Sequence, residues 1–305
     1  MTSRKEQSRI ILLSYNKPLT KTNNNSYELI DTEYTFESLD DAIEIFKILR
    51  KNTAVKEVIY NCNVICKYAT LDDQYDDEYD DEYCKCKQGT CDNDKCFKYF
   101  LKTIKGNKSI NKVNIYTSLN PTNLNELQNK FLVNKHITDL GIGCCGINNK
   151  VVSIVNILSK NTTLVHLRLF SNKIGNIGIQ FICNALSYND TLYSLDISYN
   201  TFNDDSTKSI VNMITRNKRL HTLHLEGNKI NAENIYKIID SIQKNKSICQ
   251  LYIGHSELNG DFEDTILNAI KCGKLPCSLD VLYIRTNKPE PPQNLMSIIH
   301  NMPDD

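Results

Sequence analysis

The feature that most constrains this chain is a sequence segment that recurs at intervals of 28 residues. Leucine, asparagine and isoleucine or phenylalanine occupy matching positions in residues 164–174, 192–202 and 220–230. These segments start at residues 164, 192 and 220, so both intervals are 28 residues, and Ile248 follows after a further 28. An internal repeat of this length predicts stacked structural units. Fainter copies, which bring the candidate units to eight, begin at Val55, Ile110, Ile137 and Leu279.

Each unit combines the pattern of a strand with that of a helix. Leu223 and Leu225 alternate with polar residues, which is the period of a strand with one buried face. Asn228 follows, where a buried amide can satisfy backbone groups of the turn and of the neighbouring unit, at about 1 kcal/mol per bond. Residues 235–242 then carry apolar side chains at helical spacing, which predicts a helix.

A second asparagine lies three residues before each predicted strand in seven of the units. Asparagine tolerates the left-handed conformation that closes a helix C-terminus. We therefore expect these residues to end the helices in that conformation. The seven are Asn52, Asn107, Asn134, Asn161, Asn189, Asn217 and Asn245.

The pattern LxxLxLxxNxI in a 28-residue unit resembles the ribonuclease-inhibitor class of leucine-rich repeats, over roughly residues 55–289. The resemblance implies an α/β solenoid, a horseshoe with a parallel sheet on its concave side and helices on its convex side. Three positions depart from the pattern. Cys145 and Ser256 replace the asparagine, and Pro289 replaces the isoleucine of the last unit.

The two ends of such a stack need covering. Residues 1–54 are predicted to form an N-terminal cap, with a strand near 10–15, a segment at 27–34 that pairs with it, and a helix that begins after Ser38. Residues 290–305 are predicted to form a C-terminal cap, with a short helix started by prolines.

The first repeat contains an insertion at about residues 68–94. Residues 72–83 are acidic with tyrosine at every fourth position, which fits either a solvated loop or a docking strip for a basic partner. Four cysteines follow, and we consider three states for them: a structural zinc site, thiols, or a disulfide. The candidate zinc ligands are Cys84, Cys86, Cys91 and Cys96.

The outward positions of the predicted strands form the surface where we expect a partner to bind. They carry aromatic, arginine and charged residues, and the first two types contribute most binding energy at protein interfaces. A polar sheet face with scattered aromatics can equally be a solvated surface. The candidate partner-binding residues are Arg168, Phe170, Asp196, His224, Glu226, Tyr252, Tyr283 and Arg285.

Composition narrows the function classes. Lys plus Arg and Asp plus Glu are equal at 36 each, which argues against a nucleic-acid or membrane partner. No apolar run approaches the roughly 20 residues that span a bilayer, and the run at 10–13 is too short for a signal peptide. Glycine-loop, HExxH and GxSxG motifs are missing from the sequence. We therefore expect a monomeric cytoplasmic or otherwise intracellular protein that is not an enzyme and needs no cofactor, the zinc site apart.

Three functional hypotheses follow. The leading one is a protein-interaction module, an adaptor, scaffold or inhibitor that binds a partner protein on the concave face. The repeat also resembles the arrays of GTPase-activating proteins for small GTPases, which would imply a regulator of such an enzyme. The third hypothesis is the substrate-recognition arm of a ubiquitin ligase, for which residues 1–54 are short.

Overall fold

The computed structural model describes residues 93–254 continuously and shorter stretches on either side. The chain divides into two units, Met1–Cys145 and Gly146–Asp305, which we call unit 1 and unit 2. The shorter described stretches are residues 8–13, 19–21, 27–29, 33–36, 39–51, 53, 55–62, 279 and 281–285.

Unit 1 combines an antiparallel strand pair with three parallel strands and three helices. The strands are β1 (Ser8–Leu13), β2 (Leu19–Lys21), β3 (Tyr27–Leu29), β4 (Glu33–Phe36), β5 (Glu57–Cys62), β6 (Lys112–Tyr116) and β7 (Asp139–Ile142). The helices are α1 (Leu39–Lys51), α2 (Asn93–Gly106) and α3 (Pro121–Phe131). Its sheet has the order β4-β1-β5-β6-β7, in which β1 is antiparallel to both neighbours and β5 to β7 are parallel. The hairpin β2–β3 forms a separate two-stranded sheet.

The N-terminal strands differ in part from the prediction. Strand β1 and helix α1 occur where the sequence predicts them. However, β1 pairs with β4, with Ile10 opposite Tyr34, whereas Tyr27–Leu29 pairs with β2. Strand β1 also pairs with β5, with Ile10 opposite Tyr60, so the first parallel strand has an antiparallel neighbour in unit 1.

The core of unit 1 is rich in aromatic side chains. The rings of Tyr60 and Phe100 stack with centroids 4.7 Å apart, and Phe97 lies 5.5 Å from Tyr60. Phe46, from α1, lies 6.1 Å from Phe100. All four are at most 2% exposed. Strand β5 therefore packs against α1 and α2 through one aromatic cluster.

Unit 2 contains parallel strands that alternate with helices. Its strands are β8 (His166–Arg168), β9 (Ser194–Asp196), β10 (Thr222–His224), β11 (Gln250–Gly254) and β12 (Val281–Arg285). Its helices are α4 (Val152–Lys160), α5 (Asn176–Leu186), α6 (Thr207–Arg216) and α7 (Ala232–Asn245). Equivalent residues of successive strands are in register. Leu167 is opposite Leu195, Leu195 is opposite Leu223 and Leu223 is opposite Leu251. These four leucines are at most 1% exposed and form an aliphatic core with the buried isoleucines of the helices.

The asparagines after the strands form the bonds that the sequence predicts. The Asn200 side chain accepts hydrogen bonds from the backbone N–H of Asn172 and of Ile174, both at 3.0 Å, and donates to the carbonyls of Leu169 and Ile197. Asn228 repeats this arrangement one strand later, accepting from the N–H of Asn200 and donating to carbonyls of its own turn and of the preceding one. We call this series the turn ladder. Each rung satisfies buried backbone groups that would otherwise cost free energy.

In unit 1 a cysteine occupies the corresponding position, as the sequence indicates. The thiol of Cys145 donates to the carbonyls of Ile115, at 3.2 Å, and of Gly143, at 3.1 Å. A thiol supplies one weak donor, whereas an asparagine supplies two donors and an acceptor. Cysteine therefore reproduces only part of the asparagine rung.

The prediction for the asparagines before the strands is wrong. Asn217 has φ −71° and ψ 130°, and Asn161 is similarly extended, whereas the left-handed residue after α7 is Lys246. The side chain, not the backbone conformation, explains the residue type. The Asn217 oxygen accepts from the N–H of Arg219 and Leu220, and its amide donates to the carbonyl of Leu186 at the end of the preceding helix. An asparagine provides this acceptor and donor at once.

Several predictions fall outside the described residues. They concern Asn52, most of the insertion at 68–94, the positions of Ser256 and Pro289, and the C-terminal cap at 290–305. The last two residues of the predicted insertion belong to α2, which begins at Asn93. In the described part of the chain, no helix has both the length and the apolar character that crossing a bilayer requires.

Candidate protein-binding face of the sheet

Alternation along the strands of unit 2 separates a buried face from an open one. The leucines point to the buried side. On the other side most described side chains are partly accessible, whereas Ser198, Thr222 and Gly254 are buried. We call the accessible side the open face of unit 2. Its described side chains, by strand, are His166, Arg168 and Phe170; Ser194, Asp196 and Ser198; Thr222, His224 and Glu226; and Gln250, Tyr252 and Gly254.

An aromatic pair dominates the centre of this face. The rings of His224 and Tyr252 are parallel within 7°, and their centroids are 4.0 Å apart. These residues are direct neighbours in the register of β10 and β11, which brings their rings within stacking distance. The Nδ1 atom of His224 lies 3.3 Å from the Oε2 atom of Glu226. The His224 side chain is 28% exposed, so the stack is accessible to a ligand.

Asp196 lies beside this pair, because it is opposite His224 in the register. Its carboxylate accepts hydrogen bonds from the Ser198 N–H, at 2.9 Å, and from the Ser198 hydroxyl, at 2.5 Å. Burial raises the pKa of Asp196, and the negative charge of Glu226 adds to the increase, although His224 and the Ser198 hydrogen bonds oppose it. Burial and Glu226 also raise the pKa of the Tyr252 hydroxyl. Two carboxyl groups therefore share one small region.

Small residues occupy the positions on either side of Glu226. The backbone bonds between neighbouring units continue in register beyond the strands, from the Ile197 N–H to the His224 carbonyl and from the Leu225 N–H to the Tyr252 carbonyl. This alignment places Ser198 on one side of Glu226 and Gly254 on the other. We call Asp196, Ser198, His224, Glu226, Tyr252 and Gly254 the acidic recess.

A close packing contact borders the recess at the carboxyl edge of the strands. Gly227 has φ +64°, a conformation that favours glycine. A Cβ atom there would lie 2.3 Å from the Tyr199 ring, so any larger residue would displace that ring. Tyr199 was not predicted from the sequence, because it lies beyond the strand positions from which the candidate residues were chosen. The glycine that follows Glu226 was the available signal.

A second aromatic cluster, also missed, lies at the amino edge of the strands. Tyr193 and His221 stack with centroids 4.4 Å apart and planes within 11°. Arg219 lies over the Tyr193 ring at 5.6 Å, and His166 meets the same ring edge-on at 6.2 Å. Tyr193 and His221 occupy the same position in consecutive units, immediately before the strand. Recurrence of an aromatic residue at one repeat position could therefore have indicated this cluster.

The predicted partner-binding residues separate into three groups. Asp196, His224, Glu226 and Tyr252 come together in the acidic recess. Arg168 and Phe170 are partly accessible on the next strand, where Arg168 is opposite Asp196. On β12, Tyr283 is opposite Tyr252 and Arg285 is opposite Gly254 in the backbone register, and their side chains lie outside the description.

The zinc hypothesis concerns one described residue. Cys96 lies on α2 and is 1% exposed. Cys84, Cys86 and Cys91 lie outside the described residues, so the zinc site stays a prediction. Among the described residues, no group of three or more metal-ligating side chains is arranged to hold a metal ion. Elsewhere, burial raises the pKa of the Cys183 thiol to about 12, which makes this cysteine a poor nucleophile.

The outward positions in unit 1 differ from the prediction of an accessible face. Glu57, Ile59 and Asn114 occupy such positions, yet each is only 4% exposed. The Glu57 carboxylate is 3.1 Å from the Lys112 ammonium and accepts a hydrogen bond of 2.8 Å from the Asn114 amide. Alternation specifies the direction of a side chain but not what covers that side of the sheet, which is why the sequence did not reveal this burial.

Helices α6 and α7 border a shallow groove of about 810 Å³ on the helical side of unit 2. Its charged walls are largely self-paired, with Lys237 2.8 Å from Glu233 and Lys244 2.8 Å from Asp240. These exposed pairs within one helix stabilise α7 modestly. The groove therefore offers weaker chemistry for a ligand than the open face.

Comparison with known proteins gives one family model and several solved structures. A model described as "Leucine Rich repeat" matches residues 160–183. The structure is similar to leiomodin-1 actin-binding site 2, at 18% identity over 47% of this chain and 84% of that one, with a TM-score of 0.39. It is also similar to an internalin (inlF) from Listeria monocytogenes str. 4b F2365, at 12% identity over 62% and 70% of the two chains, with a TM-score of 0.34. No curated protein matches the sequence.

The fold and the family model together define the class of protein. Parallel strands alternate with helices, buried leucines align across the strands, and asparagines join successive turns. This is an α/β leucine-rich-repeat solenoid, and the chain is a leucine-rich-repeat protein. Domains of this class generally mediate protein–protein interaction.

Proposed function

We propose that this chain is a protein-interaction module, an adaptor, scaffold or inhibitor, that binds a partner protein on the open face of unit 2. The main observation in support of this proposal is the His224–Tyr252 stack, a rigid and partly exposed aromatic surface. Aromatic side chains with few rotatable bonds are the typical anchors of protein interfaces. The proposal includes the ribonuclease-inhibitor-like class of repeat, and it assigns the chain no catalytic activity.

The polar surroundings of the stack support a specific rather than a general apolar contact. Asp196 and Glu226 lie within the same recess, and Arg168 lies on the adjacent strand. Charges that surround an aromatic anchor suppress wrong partners and fix the orientation of the right one. The arrangement therefore favours selective recognition of one protein surface.

An affinity capture with matched variants tests the proposal. The wild-type chain is compared with His224→Ala/Tyr252→Ala, which removes the stack, and with Lys237→Ala/Lys244→Ala, which changes the helical side of the same units. We expect both variants to fold, as checked by circular dichroism, and only the first to lose the proteins that wild type retains. Equal retention by wild type and the first variant would exclude the open face as the binding surface.

A further inference from the structure

The acidic recess has a charge that defines the chemistry of its ligand. We infer that it binds an arginine side chain presented by the partner protein. The inference rests on the proposed function and adds to it the kind of residue that the partner must supply. It follows from the charge, the shape and the aromatic wall of the recess.

The charge balance of the recess is negative. Asp196 and Glu226 contribute two carboxylates, and the six residues of the recess include no lysine or arginine. The one group there that can become positive is His224, whose Nδ1 is 3.3 Å from Glu226. Arg168 lies on β8, on the other side of Asp196 from His224 and Tyr252. A cationic side chain from a partner would therefore meet complementary charge around Glu226.

Among the described residues, no large side chain flanks Glu226 in the register. Ser198 and Gly254 occupy the positions on either side of Glu226 and contribute a hydroxymethyl group and no side chain, respectively. The Glu226 side chain is 16% exposed, so it reaches the surface but is largely desolvated. Charge pairs in such an environment are stronger than those on a fully exposed surface.

The aromatic wall distinguishes arginine from lysine. A guanidinium group is planar, stacks on aromatic rings and presents a fork of N–H donors to a carboxylate. The stacked rings of His224 and Tyr252 stand next to Glu226 and Asp196, so a planar cation can contact a ring and a carboxylate together. A lysine ammonium is a compact, strongly hydrated charge that loses more hydration and gains no stacking.

Peptide pools that differ at one fixed residue test the inference. Four pools of short random peptides carry arginine, lysine, citrulline or glutamate at the centre, and immobilised full-length chain is used to retain them. Citrulline keeps the planar shape of arginine but removes its charge. We expect the arginine pool to be retained about tenfold more strongly than the citrulline pool, and more strongly than the lysine pool.

Two isosteric variants make the result specific to the recess. Glu226→Gln should abolish the preference for arginine, because the charge is lost while the shape is kept. Glu233→Gln is the matched control: it neutralises an exposed carboxylate on α7 and should leave the preference unchanged. Thermal unfolding of both variants checks that the fold is intact.

The outcomes separate this inference from the proposed function. Equal retention of the arginine and lysine pools, or an arginine preference that persists in Glu226→Gln, would overturn the arginine assignment. If retention without any arginine preference is still lost in Tyr252→Ala, the open face binds proteins and only the present inference fails. If retention of every pool is insensitive to both Tyr252→Ala and Glu226→Gln, both proposals fail.

Discussion

Outward-facing carboxylates have different surroundings in unit 1 and in unit 2. In unit 1, Glu57 is 4% exposed, its charge is balanced by Lys112, and it accepts a hydrogen bond from Asn114. In unit 2, Asp196 and Glu226 lie close together, with His224 3.3 Å from Glu226 and Arg168 opposite Asp196 in the register. A buried carboxylate with an internal ion pair contributes to structure, whereas carboxylates on a partly accessible surface can also contact a ligand. An outward-facing carboxylate can therefore serve either purpose.

The cores of the two units differ as well. Unit 1 packs β5 against helices through Phe46, Tyr60, Phe97 and Phe100. Unit 2 relies on aligned leucines and on the turn ladder. In unit 1 large aromatic side chains fill the space between one strand and two helices, whereas in unit 2 leucines recur at one register position in successive strands. The following variants test these differences, from the largest expected effect to the smallest.

Truncation of the aromatic cluster should have the largest effect. Phe100→Ala removes a fully buried ring that contacts Tyr60, Phe97 and Phe46, so we expect the free energy of unfolding to fall by about 3–5 kcal/mol. Urea unfolding followed by circular dichroism measures the loss. Tyr188→Ala, at a position that is 81% exposed, is the control and should change stability by less than about 0.5 kcal/mol.

Removal of one rung of the turn ladder should come next. Asn200→Ala leaves the N–H groups of Asn172 and Ile174 and the carbonyls of Leu169 and Ile197 without their side-chain partner. Buried polar groups left unsatisfied cost about 1–3 kcal/mol each, and partial relaxation limits the total to about 2–4 kcal/mol.

The cysteine rung of unit 1 supplies the matched comparison for that variant. Because Cys145 forms two bonds at the equivalent position, Asn200→Cys should recover part of the stability that Asn200→Ala loses. Equal unfolding free energies for the alanine and cysteine variants would show that volume, and not hydrogen bonding, makes the rung stabilising.

Neutralisation of the structural carboxylate should have an intermediate effect. Glu57→Gln removes the charge that pairs with Lys112 and weakens the bond from Asn114, so we expect a loss of about 1–2 kcal/mol. Raised salt should not reproduce this loss in wild type, because buried pairs are weakly screened. An unchanged midpoint of urea unfolding would refute the view that unit 1 uses this carboxylate for stability.

Asp196→Asn, which neutralises a carboxylate of the acidic recess, should have the smallest effect. It should raise the free energy of unfolding, whereas the other variants lower it. Because the native pKa of Asp196 is raised above 3.8, the native state holds this proton more tightly than the unfolded chain. The free energy of unfolding therefore falls as pH rises from 3.8 through the raised pKa. Asp196→Asn avoids this penalty, so it should be slightly more stable than wild type at neutral pH, with the difference vanishing below the ordinary pKa. A variant less stable than wild type at neutral pH would contradict this sign.

The repeat made much of the fold predictable. Leu195 and Leu223 fix which face of each strand is buried, and Asn200 and Asn228 fix the turns, because both depend on local chemistry at a constant spacing. The partner of β1 was less predictable. Antiparallel pairing of Ile10 with Tyr34 depends on contacts between segments that carry no repeat pattern.

The register positions of the candidate site residues were predictable from the sequence, but their side-chain contacts were not. The register brings His224 beside Tyr252 once the units are aligned, so the sequence was sufficient to pair them. Stacking, the bonds from Ser198 to Asp196 and the contact of Tyr199 with Gly227 depend on side-chain rotamers and on backbone beyond the strand. The burial of Glu57 could not be predicted from the sequence, because it depends on which residues pack over that side of the sheet.

The turn ladder also has a consequence for how such a chain can change over generations. Asn228 bonds to the backbone of Asn200, and Asn200 bonds to that of Asn172, so each rung depends on the rung one unit earlier. Duplication or deletion of one complete unit rejoins equivalent rungs and leaves every buried amide satisfied. An insertion or deletion inside a turn would interrupt the ladder. Genes for such chains should therefore gain and lose sequence in steps of whole repeats, with other insertions confined to places where no rung is interrupted.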